Sequence, residues 1–216
     1  MDSRPLDGQS AERSPWEAAL GDSLAQLHPR LRAYFSPIPE GHFGRGRGTF
    51  ESVGTPRRWL WPMLWVLGLD GVVFPVWERA VPFTVENRWD GGILRGRRAF
   101  AFADGERVMV DAITADGTAI VDRLGRHGRI ETRLAPSVVE GALVMRSTSA
   151  QFRIGRLRMP IPFAPRVDLR EEAGGDRQRI SLVMTAPIVG RIYEYAGEFT
   201  YSIEDGAVEP GSEEAA

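Results

Sequence analysis

The sequence predicts a mainly β protein in which an antiparallel meander forms a closed barrel or a strongly curved half-barrel, preceded by short N-terminal helices. Three observations carry this expectation. From Ala80 to Glu204, short runs that alternate apolar and polar residues recur about every ten residues, with turn residues between them. Asp104-Gly105 and Asp116-Gly117 have the composition of tight hairpin turns. So many strands in a flat sheet would leave exposed edges, which closure removes.

The elements follow in chain order. Ser14-Pro15-Trp16-Glu17 reads as a capping box, and Trp16, Ala19, Leu20, Leu24 and Leu27 keep helical spacing until Pro29 stops or kinks the helix. Leu31, Tyr34 and Phe35 add a further turn, and Pro37–Gly41 is a loop. Gly44-Arg45-Gly46-Arg47-Gly48 then leads into a strand at Thr49–Val53. A second helix is expected within Pro56–Leu67, capped by Thr55 and closed by Gly68. Pro62 must kink or restart it, because an interior proline costs ~3 kcal/mol.

The predicted strands of the meander are Val81–Trp89, Leu94–Ala103, Arg107–Ala115, Thr118–Leu124, Arg129–Leu134, Ala142–Ser149, Phe152–Met159, Arg166–Glu172, Gln178–Ala186 and Arg191–Ile203. In the last of them Tyr193, Tyr195, Phe199 and Tyr201 share a face that should pack inward. One domain is expected over 15–204, between a polar tail at 1–14 and an acidic tail at 205–216, both expected to be disordered.

Composition removes several chemistries. With 43% hydrophobic and 26% charged residues the chain can build a core. A net charge of −2 argues against non-specific nucleic-acid binding. There is no cysteine, hence no disulfide, thiolate nucleophile or cysteine-held metal. All 27 basic side chains are arginine, which excludes Schiff-base and P-loop lysines. Met1–Ser14 has no apolar segment of a signal peptide, and Trp59–Leu69 is too short to span a bilayer, so the expected compartment is the cytoplasm.

Candidate motifs have competing readings. Gly21-Asp22-Ser23-Leu24 spells a serine-esterase signature, but Ser23 falls within a predicted helix rather than at a strand-to-helix turn. The Gly44–Gly48 run could cradle a phosphate, although a flexible or bulged strand start is favoured. His28, His42 and His127 lie far apart, and no metal or cofactor is expected. Glu171-Glu172 must point to opposite faces of a strand and read as solvated. Arg129, Glu131 and Arg133 share a face, either a solvated outer ladder, which is favoured, or an inner lining that orients an acidic ligand group. Arg57-Arg58-Trp59-Leu60-Trp61-Pro62-Met63-Leu64-Trp65 could be a helix buried over a barrel mouth, a flap over a cavity, or, least favoured, an anchor at lipid headgroups.

Several segments in order carry a resemblance: Phe43-Gly44 with Arg47-Gly48, the Trp-Leu segment ending Val66-Leu67-Gly68-Leu69, Arg98-Ala99-Phe100, Met159-Pro160-Ile161-Pro162 and Pro187-Ile188-Val189-Gly190-Arg191-Ile192-Tyr193-Glu194-Tyr195-Ala196-Gly197. Across about Leu27 to Ile203 the chain resembles the bacterial family known as domain of unknown function 4166. Pro62 and the Gly71–Pro75 stretch depart from that pattern. The resemblance implies, as a partner, a saccharopine-dehydrogenase-like NAD(P)-binding reductase, and it supplies no catalytic residues.

The leading functional expectation is a non-enzymatic domain that holds a small apolar or amphipathic ligand. Its expected binding residues are Trp59, Trp61, Trp65, Arg129, Glu131, Arg133, Tyr193 and Tyr195. The alternatives are an interaction module that docks on a reductase or on itself, and an enzyme with acid–base groups among Asp122, Glu131, Tyr195 and the arginines.

Overall fold

The computed structural model describes residues 13–206. The two expected tails lie almost wholly outside these residues. Ser14 and Asp205 lie inside them as parts of the fold: the Ser14 hydroxyl donates to the Phe35 carbonyl, and Asp205 ends the last strand.

Ser14 caps α1 (Pro15–Leu20), and the Glu17 side chain accepts from the Ser14 amide in return. The helix is shorter than its apolar spacing predicts. Gly21 takes a positive φ of 52° and the chain tightens into a 3₁₀ turn over Gly21–Gln26, before Pro29 opens α2 (Pro29–Phe35). Ser23 sits in that 3₁₀ turn, between two helices and not directly after a strand. The second predicted helix is divided too. A 3₁₀ turn covers Arg58–Leu60, and α3 (Trp61–Gly68) restarts with Pro62 in its first turn, where a missing N–H costs nothing.

Among the described residues eleven strands follow from His42: β1 (His42–Gly54), β2 (Trp77–Asp90), β3 (Ile93–Phe102), β4 (Gly105–Asp116), β5 (Ala119–Leu124), β6 (Ile130–Val139), β7 (Ala142–Ile154), β8 (Leu157–Pro160), β9 (Arg166–Gly174), β10 (Arg177–Ala186) and β11 (Gly190–Asp205). Consecutive strands pair antiparallel except β8 and β9, β7 pairs with β9, and β1 pairs with β11. The result is a closed ten-strand antiparallel barrel, with β8 attached to β7 as an eleventh strand outside the ring. Of the two predicted alternatives, closure is the one found. The expected strand Phe152–Met159 is instead a hairpin, because Gly155 turns the chain with φ 59°.

Gly44, Gly46 and Gly48 form the inner face of β1, and their role is steric. A Cβ at Gly44 would fall on the Tyr201 ring, at Gly46 on Val85 and Phe199, and at Gly48 on Phe199 and the Glu198 carbonyl. The run is neither a phosphate cradle nor a flexible strand start; it is paired along both edges and lets aromatic rings lie flat on the wall. Those rings fill this side of the lumen: Phe50 stacks on Phe83 at 4.0 Å between centroids, and Phe199 meets Phe83 edge-on at 5.7 Å.

Helical segments plug both ends. Trp16, Leu20, Leu31 and Phe35 from α1 and α2 pack on Leu94, Ile113, Ile120, Leu134 and Leu143. At the other end Leu60, Leu64 and Val72–Phe74 pack on Phe50, Val53, Phe100 and Tyr193.

Candidate functional site

A ten-strand barrel is wider than the eight-strand size at which side chains just fill the interior. Opposite the phenylalanine-filled wall, a cavity of about 130 Å³ remains, lined by β2–β7 and β9–β11. Most of its lining is apolar, including Met109, Ile113, Leu134, Met145, Leu169 and Ile180. Trp16 and Tyr34 reach it from the N-terminal helices, and Val72 and Val73 from the opposite plug.

Into this apolar space the strands place charges at inward-facing positions. Arg98 alternates with Leu94, Phe100 and Phe102 on β3, Asp111 stands between Met109 and Ile113 on β4, Asp122 between Ile120 and Leu124 on β5, and Glu171 follows Leu169 on β9. Arg98 forms an ion pair with Asp111. Gly96 makes room for that carboxylate, since a Cβ there would meet Asp111 Oδ1. Gln178 donates to Glu171, and Asn87 donates to the Tyr201 hydroxyl at 3.4 Å.

One guanidinium thus faces three carboxyls. Burial pushes the Glu171 carboxyl up to about 7, despite the Gln178 hydrogen bond and the Arg98 charge. Burial likewise raises Asp122 to about 6, with Arg98 opposing. Burial would lower Arg98, but Tyr34, Tyr195, Asp122 and Glu171 outweigh it and hold the guanidinium protonated. Burial raises the Tyr195 hydroxyl to about 12. Asp111 Oδ1, Asp122 Oδ1 and Trp16 Nε1 belong to the buried polar atoms of cavity-lining residues that have no hydrogen-bond partner among the described residues.

Of the residues expected from the sequence to bind a ligand, the structure brings Tyr193 and Tyr195 to the cavity and separates the rest from it. Trp59 and Trp65 are exposed on the outside of the α3 plug. Trp61 is half-buried against the core, with its Nε1 donating to the Thr55 carbonyl at 3.1 Å. Arg129 is exposed just before β6, and Arg133 reaches outward to Asp116 at 2.6 Å. Glu131 faces outward as well, under Arg123 at 3.1 Å, Arg153 at 3.5 Å and Gln151 at 2.5 Å.

Among the suggested acid–base groups, Asp122 and Tyr195 meet in the lumen while Glu131 does not. Glu172 is turned to Arg170 on the outer face, whereas Glu171, expected to be solvated, is a buried lumen residue. Sequence reasoning missed Arg98, Asp111 and Glu171. The available signal was a charged residue in phase with the apolar face of its own strand. The three histidines are dispersed: His42 pairs with Asp205, His127 with Asp70, and His28 accepts from the Arg30 amide.

Among the described residues, no helix is long and apolar enough to cross a membrane. No curated protein matches the chain. The model of the family described as domain of unknown function (DUF4166) matches residues 27–199, which spans β1 to β10, most of β11 and every carboxyl of the lumen. The chain belongs to this family.

Proposed function

We propose that the lumen binds a small amphipathic molecule, of about the size of a single ring, whose polar head donates hydrogen bonds. The observation that carries this reading is the pair of unpartnered carboxylate oxygens, Asp111 Oδ1 and Asp122 Oδ1, bordering a mostly apolar cavity. A buried acceptor without a donor is costly, and a ligand that supplies the donor recovers that cost. An apolar cavity of about 150 Å³ accommodates benzene, which sets the scale for the present one. The excess of carboxyls over guanidinium favours an amine or hydroxyl head over an acidic one.

NMR titration with benzene, phenol, benzylamine and benzoate tests the reading. Phenol and benzylamine should shift lumen resonances saturably and more tightly than benzene, and benzoate should not bind. Asp122→Leu should abolish the preference for donors while keeping benzene. Absence of saturable binding by every probe overturns the proposal.

A second reading is favoured by the titration of Asp122 and Glu171 near neutrality, where carboxyls can move protons. Deuterium exchange at the α-carbon of small ketones tests it. Exchange should accelerate with the wild type and vanish in Asp122→Asn; exchange unaffected by Asp122→Asn and Glu171→Gln removes the reading.

A further inference from the structure

The antiparallel register decides which connections share an end of the barrel. Gly54 pairs with both Trp77 and Glu194, and Thr185 with both Arg166 and Arg191. The α3 segment, the β10–β11 turn and the β8–β9 loop therefore lie at one end. Ile130 pairs with both Leu124 and Phe152, which adds the β5–β6 turn and the β7–β8 hairpin. Two contacts tie these connections together: Arg57 donates to the Val189 carbonyl, and the Arg126 amide donates to the Asp70 carbonyl at 2.8 Å.

This end gathers large apolar side chains in water. Trp59 is 65% exposed, Trp65 57%, Phe163 85%, and Leu69, Leu157 and Ile188 are exposed as well. They come from four separate connections. Around them Arg57, Arg58, Arg126, Arg156 and Arg166 are exposed, and among the described residues none of the five has a carboxylate within 4.0 Å. The carboxylates that share this end are held: Asp70 by His127, Asp104 by Arg107, Glu194 by Arg191, and Glu78 by the Ala103 amide. At the opposite end the four hairpin turns expose Asp90, Asp116, Glu140 and Asp176, but Arg95 holds Asp90 at 2.8 Å, Arg133 holds Asp116 at 2.6 Å, and Arg30 and Arg177 are exposed beside them.

We propose that the α3 end of the barrel docks on the surface of an anionic phospholipid bilayer. Unpaired arginines meet the headgroup phosphates, tryptophans take the amphipathic depth between headgroup and chain, and the aliphatic tips enter the upper acyl region. Of the exposed large apolar side chains among the described residues only Val139 and Ile203 lie at the far end, so the apolar cluster at the α3 end orients the barrel with its axis across the interface. Charge complementarity selects the bilayer over a second copy of the chain, because two such ends would bring ten unpaired arginines face to face.

Co-sedimentation with vesicles of phosphatidylcholine, alone or mixed with phosphatidylglycerol, tests the proposal. The protein should sediment with the mixed vesicles only, and less as salt rises. Its tryptophan fluorescence should be quenched by brominated acyl chains, and Trp59→Ser with Trp65→Ser should remove both effects without changing the circular dichroism. Arg126→Ser and Arg156→Ser should each lower partitioning about fivefold, while Val139→Ser and Ile203→Ser at the far end leave it unchanged. Failure to bind the mixed vesicles at low salt overturns the proposal. So does self-association without lipid that the Trp59 and Trp65 changes abolish, which would assign the face to a protein contact.

Discussion

On the outside of the barrel wall, the single carboxyl of Glu131 lies beneath Arg123, Arg153 and, at 3.9 Å, Arg158, with Gln151 also donating to it. In the lumen the proportion is reversed, with Arg98 facing Asp111, Asp122 and Glu171. The carboxyls of both clusters are buried and both clusters use the same residue types, although the arginines over Glu131 are partly exposed. Burial tends to raise Glu131 too, but the Arg123 and Gln151 hydrogen bonds and the charges of Arg153 and Arg123 bring it below the ordinary glutamate range. The difference teaches that the number of cations per carboxyl, more than depth alone, decides whether a buried acid is a structural anion or a protonatable group. The wall cluster is closed; the lumen cluster has acceptors left over.

Breaking the lumen side of this comparison should have the largest effect. Arg98→Met leaves three buried carboxyls without their cation and should cost on the order of 3 to 5 kcal/mol in urea unfolding at pH 8. The loss should shrink at pH 5, where Asp122 and Glu171 hold their protons.

Glu171→Gln sharpens the comparison with the opposite sign. Folded Glu171 keeps its proton up to about pH 7, whereas the unfolded chain releases it near 4.5, so the wild type loses stability as pH rises between these values. The substitution should therefore stabilise the protein by a few kcal/mol at pH 8 and have little effect below pH 4.5, as read from unfolding midpoints at both.

Glu131→Gln should do the reverse, and by less. Its carboxyl is held below the unfolded value, so its contribution is present above pH 4.5 and is lost as pH falls through its folded value. A cost of about 1 to 3 kcal/mol at pH 8 should fade in acid. If both glutamate variants shift stability in the same direction with pH, the comparison fails.

Much of the barrel was legible because alternation is local. Tyr193, Tyr195 and Phe199 are inward and buried as their spacing requires, and strand positions were readable except where glycine replaced the apolar partner, as in β1 before Thr49. The Phe152–Met159 error has the same origin: alternation continues across Gly155 although the chain reverses there. The site was less legible. Arg98, Asp111 and Glu171 each sit at an inward phase, but their meeting depends on the diameter of the closed ring and on which strands face each other across it. Those are global quantities. Trp59 and Trp65 drew attention by composition, yet the restart of the helix at Pro62 turns them to the outside while Leu60 and Leu64 take the core.

The seam between β1 and β11 has a consequence for how the molecule comes into being. The ring is completed only when Gly190–Asp205 returns to His42–Gly54, near the opposite limit of the sheet in chain order. A nascent polypeptide interrupted before that return carries two unsatisfied borders, one along β1 and one along β10, each able to recruit a neighbouring chain. Assembly governed by so distant a pairing should be slow, and vulnerable to aggregation until the final sixteen-residue strand has locked.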